Sequence, residues 1–251
     1  MKAVILAGGV GARLRPYTTV LPKPLMPVGN YPIAETLVRQ LQHYGVREIT
    51  FAVGYLHQLI EAYFGDGSKW GVRIKYLHED LPLGTAGPLA KIEDFREPLL
   101  VLNGDILTDL NFSKLYRSHL DSSADITIAA YDKPVKIDLG VLATGDCNNL
   151  TDYIEKPEYR FKVSMGIYVF SPSVLPFIPE NERFDFPDLV IKLLKLNKSI
   201  QTFPFAGLWL DIGRTEDYFN AAEVFEQNFE RLLPGQGPEI SARSSHTTIS
   251  P

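Results

Sequence analysis

Met1-Lys-Ala-Val-Ile-Leu-Ala-Gly8-Gly9-Val-Gly11-Ala-Arg13-Leu-Arg15-Pro-Tyr-Thr-Thr-Val-Leu-Pro22-Lys23-Pro24-Leu25 opens the chain, and its reading decides the fold. The apolar run Ala3 to Leu6 has the character of a buried strand, and it breaks directly into glycines flanked by Arg13 and Arg15, with Lys23 further on. Glycines let backbone N–H groups approach a phosphate closely, and the exit of a strand in an α/β sheet is where such ligands sit. Arg13 can fork two phosphate oxygens, whereas Lys23 offers a mobile point charge. The segment therefore reads as a cradle for a nucleoside triphosphate. Two other phosphate loops are excluded. A Walker loop requires a Gly-Lys-Ser/Thr ending that Gly8, Gly9 and Gly11 lack, and a dinucleotide fingerprint begun at Gly9 meets Leu14 where its last glycine belongs.

Outward from this turn, apolar runs alternate with helical patterns. Strands are predicted over Ala3–Leu6, Glu48–Val53, Val72–Leu77, Leu99–Leu102 and Asp125–Ala130. Between them, Ile33, Leu37 and Leu41 mark one helix face ending at Gly45, and further helices are predicted over His57–Phe64, Pro88–Phe95 and Phe112–Leu120. This order implies an α/β fold with a mostly parallel sheet flanked by helices and ligands at the carboxyl ends of its strands. The second half is richer in strand: Val141–Ala143, Asp152–Glu155, Lys162–Phe170, a stretch around Thr202–Phe205, and Leu208–Leu210. Helices are predicted over Phe186–Leu196 and Glu216–Leu232, the latter with Tyr218, Ala221, Ala222 and Phe225 as its apolar face. Residues 1–232 form the expected folded unit. A Pro/Gly- and Ser/Thr-rich tail over 233–251 is expected to be disordered.

Composition removes several classes of function. A chain of 251 residues, 45% of them hydrophobic, can bury one sizeable core, or a core with a small lobe. A net charge of −5 with no long basic stretch argues against nucleic acid as a partner. The single cysteine, Cys147, excludes an intramolecular disulfide and a Cys-rich metal site. His43, His57, His78, His119 and His246 read as scattered, without recognisable metal-ligand spacing. No signal peptide or transmembrane run stands out, so a cytoplasmic location away from membranes is expected.

Two carboxylates follow strand-like runs. Leu102-Asn103-Gly104-Asp105 puts an Asp at a strand end, where it either holds Mg²⁺ or caps a turn. Trp209-Leu210-Asp211-Ile212-Gly213 repeats the arrangement, and Asp211 either meets Asp105 on one metal or starts the last helix. Ile154-Glu155-Lys156-Pro157, taken alone, is an exposed turn.

Leu6-Ala7-Gly8-Gly9-Val-Gly11-Ala-Arg13-Leu-Arg-Pro, with Pro22-Lys-Pro-Leu-Met-Pro-Val-Gly29, resembles the signature of the sugar-1-phosphate nucleotidyltransferases. Asp105, Glu155-Lys156-Pro157 and Asp211 follow in that family's order, so the resemblance spans roughly Met1 to Leu232. It implies a Rossmann-like, GT-A-like catalytic domain with a smaller β-rich sugar-binding lobe. The implied reaction joins an NTP to a sugar 1-phosphate and releases pyrophosphate. Asp105 and Asp211 become the implied Mg²⁺ ligands, and Arg13, Lys23, Asp105, Lys156 and Asp211 the implied catalytic set. Leu6 and Ala7 join the glycines in the nucleotide site. Gly140, Glu155, Lys156 and Ser164 fall on the sugar-phosphate side. Ala12 stands where the family usually has Thr, and Ser164-Met165-Gly166 where Asn-Ala-Gly is more frequent. Phe184-Asp185-Phe186-Pro187 either lines the sugar pocket or starts a helix.

Glu79 and the following Leu83-Gly84-Thr85-Ala86-Gly87-Pro88 resemble the mannose-1-phosphate guanylyltransferase type. A carboxylate has only acceptors, which suits the N1 and N2 donors of guanine, so GTP is the expected nucleotide. The competing reading of Glu79 is a solvated strand end. Two other functions stay open. A glycosyltransferase using an NDP-sugar would want Asp-x-Asp, but Leu107 stands two residues after Asp105. A silent regulatory subunit that only binds nucleotide would explain Ala12 and Ser164-Met165. Family members often self-associate, so a homo-oligomer is also implied.

Overall fold

The computed structural model describes residues 1–79, 81–92 and 95–235. The first half contains β1 (Lys2–Ala7), the short pair β2 (Pro27–Val28) and β3 (Tyr31–Pro32), α1 (Ile33–His43), β4 (Glu48–Val53) and α2 (His57–Phe64). After these come β5 (Arg73–His78), β6 (Leu99–Asn103), β7 (Ile106–Thr108) and α3 (Phe112–Ser122). The second half contains β8 (Ile126–Lys136), β9 (Val141–Thr144), β10 (Leu150–Ile154), β11 (Glu158–Phe170) and α4 (Phe186–Lys195). The described residues end with β12 (Ile200–Phe205), β13 (Trp209–Asp211), α5 (Thr215–Gln227) and α6 (Phe229–Leu232).

Seven strands form the central sheet in the order β12-β8-β11-β6-β1-β4-β5. The pairs β6-β1, β1-β4, β4-β5 and β12-β8 are parallel, and β11 runs antiparallel to both its neighbours. Alternation along β1 explains the layers. Ala3, Ile5 and Ala7 point into a core with Leu37 and Leu41 of α1, Phe64 of α2 and Phe112 of α3. Val4 points the other way, into a second core with Leu189 and Leu193 of α4. A smaller cluster seats Ala221 and Phe225 of α5 on Leu14, Met26, Val28 and Tyr31. The sheet is thus covered on both faces, as expected for an α/β arrangement of parallel strands.

Three departures from the expected elements have local causes. The helix expected over Pro88–Phe95 is a short 3₁₀ turn, Gly87–Lys91, that ends in extended backbone at Ile92. Part of that expected helix lies outside the described residues. The last helix is broken into α5 and α6 at Asn228, whose φ of −124° is not helical and whose side-chain amide donates to the Val224 carbonyl (2.9 Å). Residues 236–251 of the expected tail also lie outside the described residues, but Leu233 is buried in the third cluster.

Candidate active site

The glycine turn leaves β1 at its carboxyl end, next to the end of β6. Gly104 N–H donates to the Leu6 carbonyl (2.9 Å), and a Cβ on Gly104 would stand 2.9 Å from that same oxygen. Only glycine lets the two strand ends meet this closely. Gly11 sits at φ +64°, and its carbonyl accepts from Leu14 N–H and Thr18 Oγ1 (both 2.9 Å). Beyond it, Ala12–Leu14 form one 3₁₀ turn that carries Arg13 outward.

These elements enclose a cleft of about 330 Å³. Leu6, Ala7, Gly8, Gly9, Gly11 and Arg13 line it from the turn. Lys23, Asp105 and Thr85 line it from elsewhere in the chain, as do Asn103 and Gly213, which are absent from the expected set. Asn103 is the last residue of β6, one past the expected strand end at Leu102 and two before Asp105. Gly213 needs the fold, because its Cα faces the Arg13 guanidinium: a Cβ there would lie 3.5 Å from Nη1. The first and last motifs therefore meet, although 200 residues separate them (213 − 13).

Lys23 is buried, and its ammonium donates to Oδ2 of Asp105 in a short charge-assisted contact. The other oxygen, Oδ1, is buried without a hydrogen-bond partner within the protein. Asp211 stands at the end of β13, which pairs antiparallel with β7 so that Asp211 lies opposite Ile106. Ile212 N–H donates to the Asp105 carbonyl (3.1 Å), which holds the two aspartate segments together. Surrounding protein pushes the Asp211 carboxyl above its ordinary range; the charge of Asp105 adds to this, while Lys23 and Arg13 pull it back. An orphaned carboxylate oxygen beside a second, destabilised carboxylate is a site short of positive charge. That donor set is all oxygen and fits a hard cation such as Mg²⁺.

Glu79 follows β5 and folds over the glycine turn. A Cβ on Gly8 would lie 2.5 Å from Oε1 of Glu79, so Gly8 has its small size for this neighbour as well as for a ligand. Oε2 already accepts from Leu83 N–H (2.9 Å), and burial raises the pKa of the carboxyl against the opposing pull of that bond and of Lys91. Gly84, at φ +80°, does not line the cleft. It packs on Asp185, whose Oδ1 accepts from Thr85 N–H (3.1 Å). Thr85 Oγ1 in turn accepts from Phe186 N–H (2.7 Å), at the start of α4. Phe184-Asp185-Phe186-Pro187 is therefore a helix start, and its aromatic ring packs inward: Phe186 stacks on Tyr168 at 3.8 Å between centroids.

The residues assigned to the sugar phosphate are not part of this cleft. Gly140 precedes β9, and Tyr153 of β10 crosses so close that a Cβ on Gly140 would collide with its hydroxyl. That hydroxyl donates to Glu155 (3.0 Å), and Lys156 follows in an exposed turn with φ of +45°, its ammonium 4.0 Å from Glu155. Glu155 lies outside β10, which ends one residue earlier than expected. Ser164 lies on β11, its hydroxyl within 3.3 Å of both the Tyr168 hydroxyl and Gly166 N–H. Gly166, at φ +73°, lies within β11 where its register against β8 shifts, beside Asn103, and a Cβ there would stand 2.6 Å from the amide nitrogen. A larger cavity, about 480 Å³, opens beside Lys2, Glu48 and Leu99, the first residues of β1, β4 and β6. It lies away from the carboxyl-end chemistry, which is where ligands bind in such sheets.

Comparison with known proteins identifies the family. A family model described as nucleotidyl transferase matches residues 2–228. A protein of Synechocystis named UTP–glucose-1-phosphate uridylyltransferase is 35% identical, over 88% of this chain and 62% of its own length. One of Yarrowia lipolytica named mannose-1-phosphate guanyltransferase is 34% identical, over 96% of this chain and 70% of its own. The chain thus spans under two thirds of the first relative and just over two thirds of the second. The solved structure of HddC from Yersinia pseudotuberculosis complexed with GMP-PN superposes with a TM-score of 0.68 at 26% identity, covering 89% of this chain and 99% of that one. Among the described residues no helix is long and apolar enough to cross a membrane.

Proposed function

Because the chain belongs to the nucleotidyl transferase family, we propose that it transfers a nucleoside monophosphate from an NTP to a sugar 1-phosphate and releases pyrophosphate. The observation that carries this reading is the convergence of the glycine turn, Arg13, the Lys23–Asp105 pair and Asp211 on one cleft. A sugar-phosphate oxygen attacks the α-phosphorus in line, and pyrophosphate leaves. The acceptor is a phosphate monoester with a second pKa near 6, about, so it is mostly dianionic at neutral pH and no general base is needed. The chain's task is to align two anions and offset their repulsion. The N–H groups of the glycine turn and the guanidinium of Arg13 bind the triphosphate, and Lys23 holds Asp105 in place. Lys156 grips the acceptor phosphate once the β9–β10 hairpin closes on it. Asp105 and Asp211 would hold Mg²⁺, which when bound supplies charge screening on the triphosphate.

GTP is the favoured nucleotide. Glu79 keeps one oxygen, Oε1, against Gly8 while Leu83 occupies the other, so a single acceptor faces the turn for a base donor. The guanyltransferase relative and the GMP-PN complex of HddC support this reading, and the uridylyltransferase relative opposes it. The test is pyrophosphate release from each of five NTPs with Mg²⁺ and a panel of sugar 1-phosphates. Release that requires both substrates is expected, fastest with GTP. Nucleotide binding without turnover on any acceptor would favour the regulatory-subunit reading instead.

A further inference from the structure

Two of the histidines that read as scattered meet in the fold. His57 and Glu61 lie one turn apart on α2, and His78 is the last residue of β5, whose partner across the sheet is Val53 of β4. His57 Nδ1 stands 2.6 Å from Glu61 Oε1, and His78 Nε2 stands 3.7 Å from the same oxygen. The two imidazoles meet edge to face with centroids 4.8 Å apart. One ligand atom from each of the three residues lies within 4.8 Å of the others.

We propose that His57, Glu61 and His78 form a binding site for one divalent transition ion of the zinc type. Two neutral imidazoles and one carboxylate are the borderline donor set that Zn²⁺ takes, and three protein ligands leave a fourth position for water. Tetrahedral bonds of ~2.0–2.1 Å put ligand atoms ~3.4 Å apart, so the widest pair closes by up to about 1.4 Å while the 2.6 Å contact of His57 with Glu61 opens by about 0.8 Å. Side chains between a third and a half exposed have the rotamer freedom to do so. The i, i+4 spacing on α2 fixes two ligands on one face. The third comes from an edge strand, so an ion here would clip α2 to β5. His78 also precedes Glu79, whose carboxylate covers Gly8 of the cleft, so the clip sits beside the nucleotide cradle without belonging to it. The site is distinct from the oxygen-only pair Asp105–Asp211, and it stands whether or not nucleotidyl transfer is the activity.

The test uses the full chain, stripped of metal by a chelator and held in excess Mg²⁺ to fill hard-cation sites. It is then titrated with ZnCl₂ by calorimetry and with CoCl₂ by visible absorption. One equivalent of Zn²⁺ is expected, with d–d bands of a four-coordinate Co²⁺ complex. His57→Gln and His78→Gln should each weaken binding by about tenfold or more while leaving circular dichroism unchanged. Absence of stoichiometric binding, or wild-type affinity in both variants, overturns the assignment.

Discussion

The cleft at the end of β1 and the hairpin β9–β10 are built to opposite standards. In the cleft, backbone contacts cross between distant segments: Gly104 to Leu6, Ile212 to Asp105, and Tyr55 N–H to the Gly8 carbonyl at 3.4 Å. Its lysine is buried and paired. In the hairpin, every residue from Leu142 to Lys156 is exposed, and the two strands pair only with each other. An isolated two-stranded ribbon is marginal in water, so a ligand that bridged the hairpin to the rest of the chain would add order to it. Under the proposed function, the triphosphate would meet a preformed cradle and the sugar phosphate a more pliant arm. Cost and specificity should divide accordingly.

The largest break in that comparison is Asp105→Asn. It removes the charge that Lys23 and, with Asp211, a hard cation would share, and turnover should fall on the order of 10³-fold. The fold should survive, because Gly104, Ile212 and the strands around them are held by backbone bonds. Steady-state pyrophosphate release together with a thermal melt checks both statements. Near wild-type turnover would remove Asp105 from the chemistry. On the pliant side, Lys156→Met should lower kcat/KM for the sugar 1-phosphate about 10²-fold, the worth of a charge-assisted bond to phosphate. The KM for NTP and the melting temperature should hold, since among the described residues the ammonium has only a long-range ion pair, with Glu155. A parallel loss in both substrates would mean that the arm serves the cradle too.

The same contrast sets how much was legible in the sequence. Strands buried on both faces, such as β1 and β6, carry continuous apolar runs, and a run of that kind is visible without partners. The cradle residues were legible because glycine, arginine and lysine at a strand exit carry a phosphate chemistry of their own. What escaped depends on pairs far apart in the chain. The place of β11, antiparallel between β6 and β8, is invisible in its own residues, and so is the approach of Gly213 to Arg13. The convergence of His78 on His57 and Glu61 was missed for that reason, although the His57–Glu61 spacing lay in plain view. Pro88–Phe95 failed in the other direction: its apolar pattern is helical, but the turn beginning at Gly87 and Pro88 closes after one 3₁₀ segment.

Glu79→Gln sharpens the comparison within the cradle. The amide keeps one acceptor for Leu83 N–H or for the base, but it no longer offers a charged oxygen beside Gly8. A hydrogen bond to a charged group exceeds a neutral one by ~1 kcal/mol, so the kcat/KM ratio of GTP to UTP should fall about fivefold. An unchanged ratio would move base recognition to the backbone near Gly8.

The smallest expected effect separates the cleft's function from its stability. Asp211 has its folded pKa raised above the ordinary 3.8, first by burial and then by the charge of Asp105. A group of this sign favours the folded state at pH below its unfolded value, and that contribution is lost as pH rises through the folded value. At neutral pH, without divalent cation, the ionised carboxylate is therefore a liability. Because Asp211 is nonetheless solvent-exposed and its charge is partly screened, Asp211→Asn should raise the melting temperature by only about a degree at pH 7, with the gain shrinking as pH falls toward 4. Excess Mg²⁺ should narrow the difference from the other side, because a cation that binds only the folded wild type stabilises it by mass action. On the hairpin, Glu155 is exposed and touches only neighbouring side chains of the same turn among the described residues, Tyr153 and Lys156, so Glu155→Gln should leave melting nearly flat across the same range. If Asp211→Asn melts lower than wild type at every pH, the carboxylate is a structural cap, and the pairing of Asp105 with Asp211 around a cation loses its electrostatic basis.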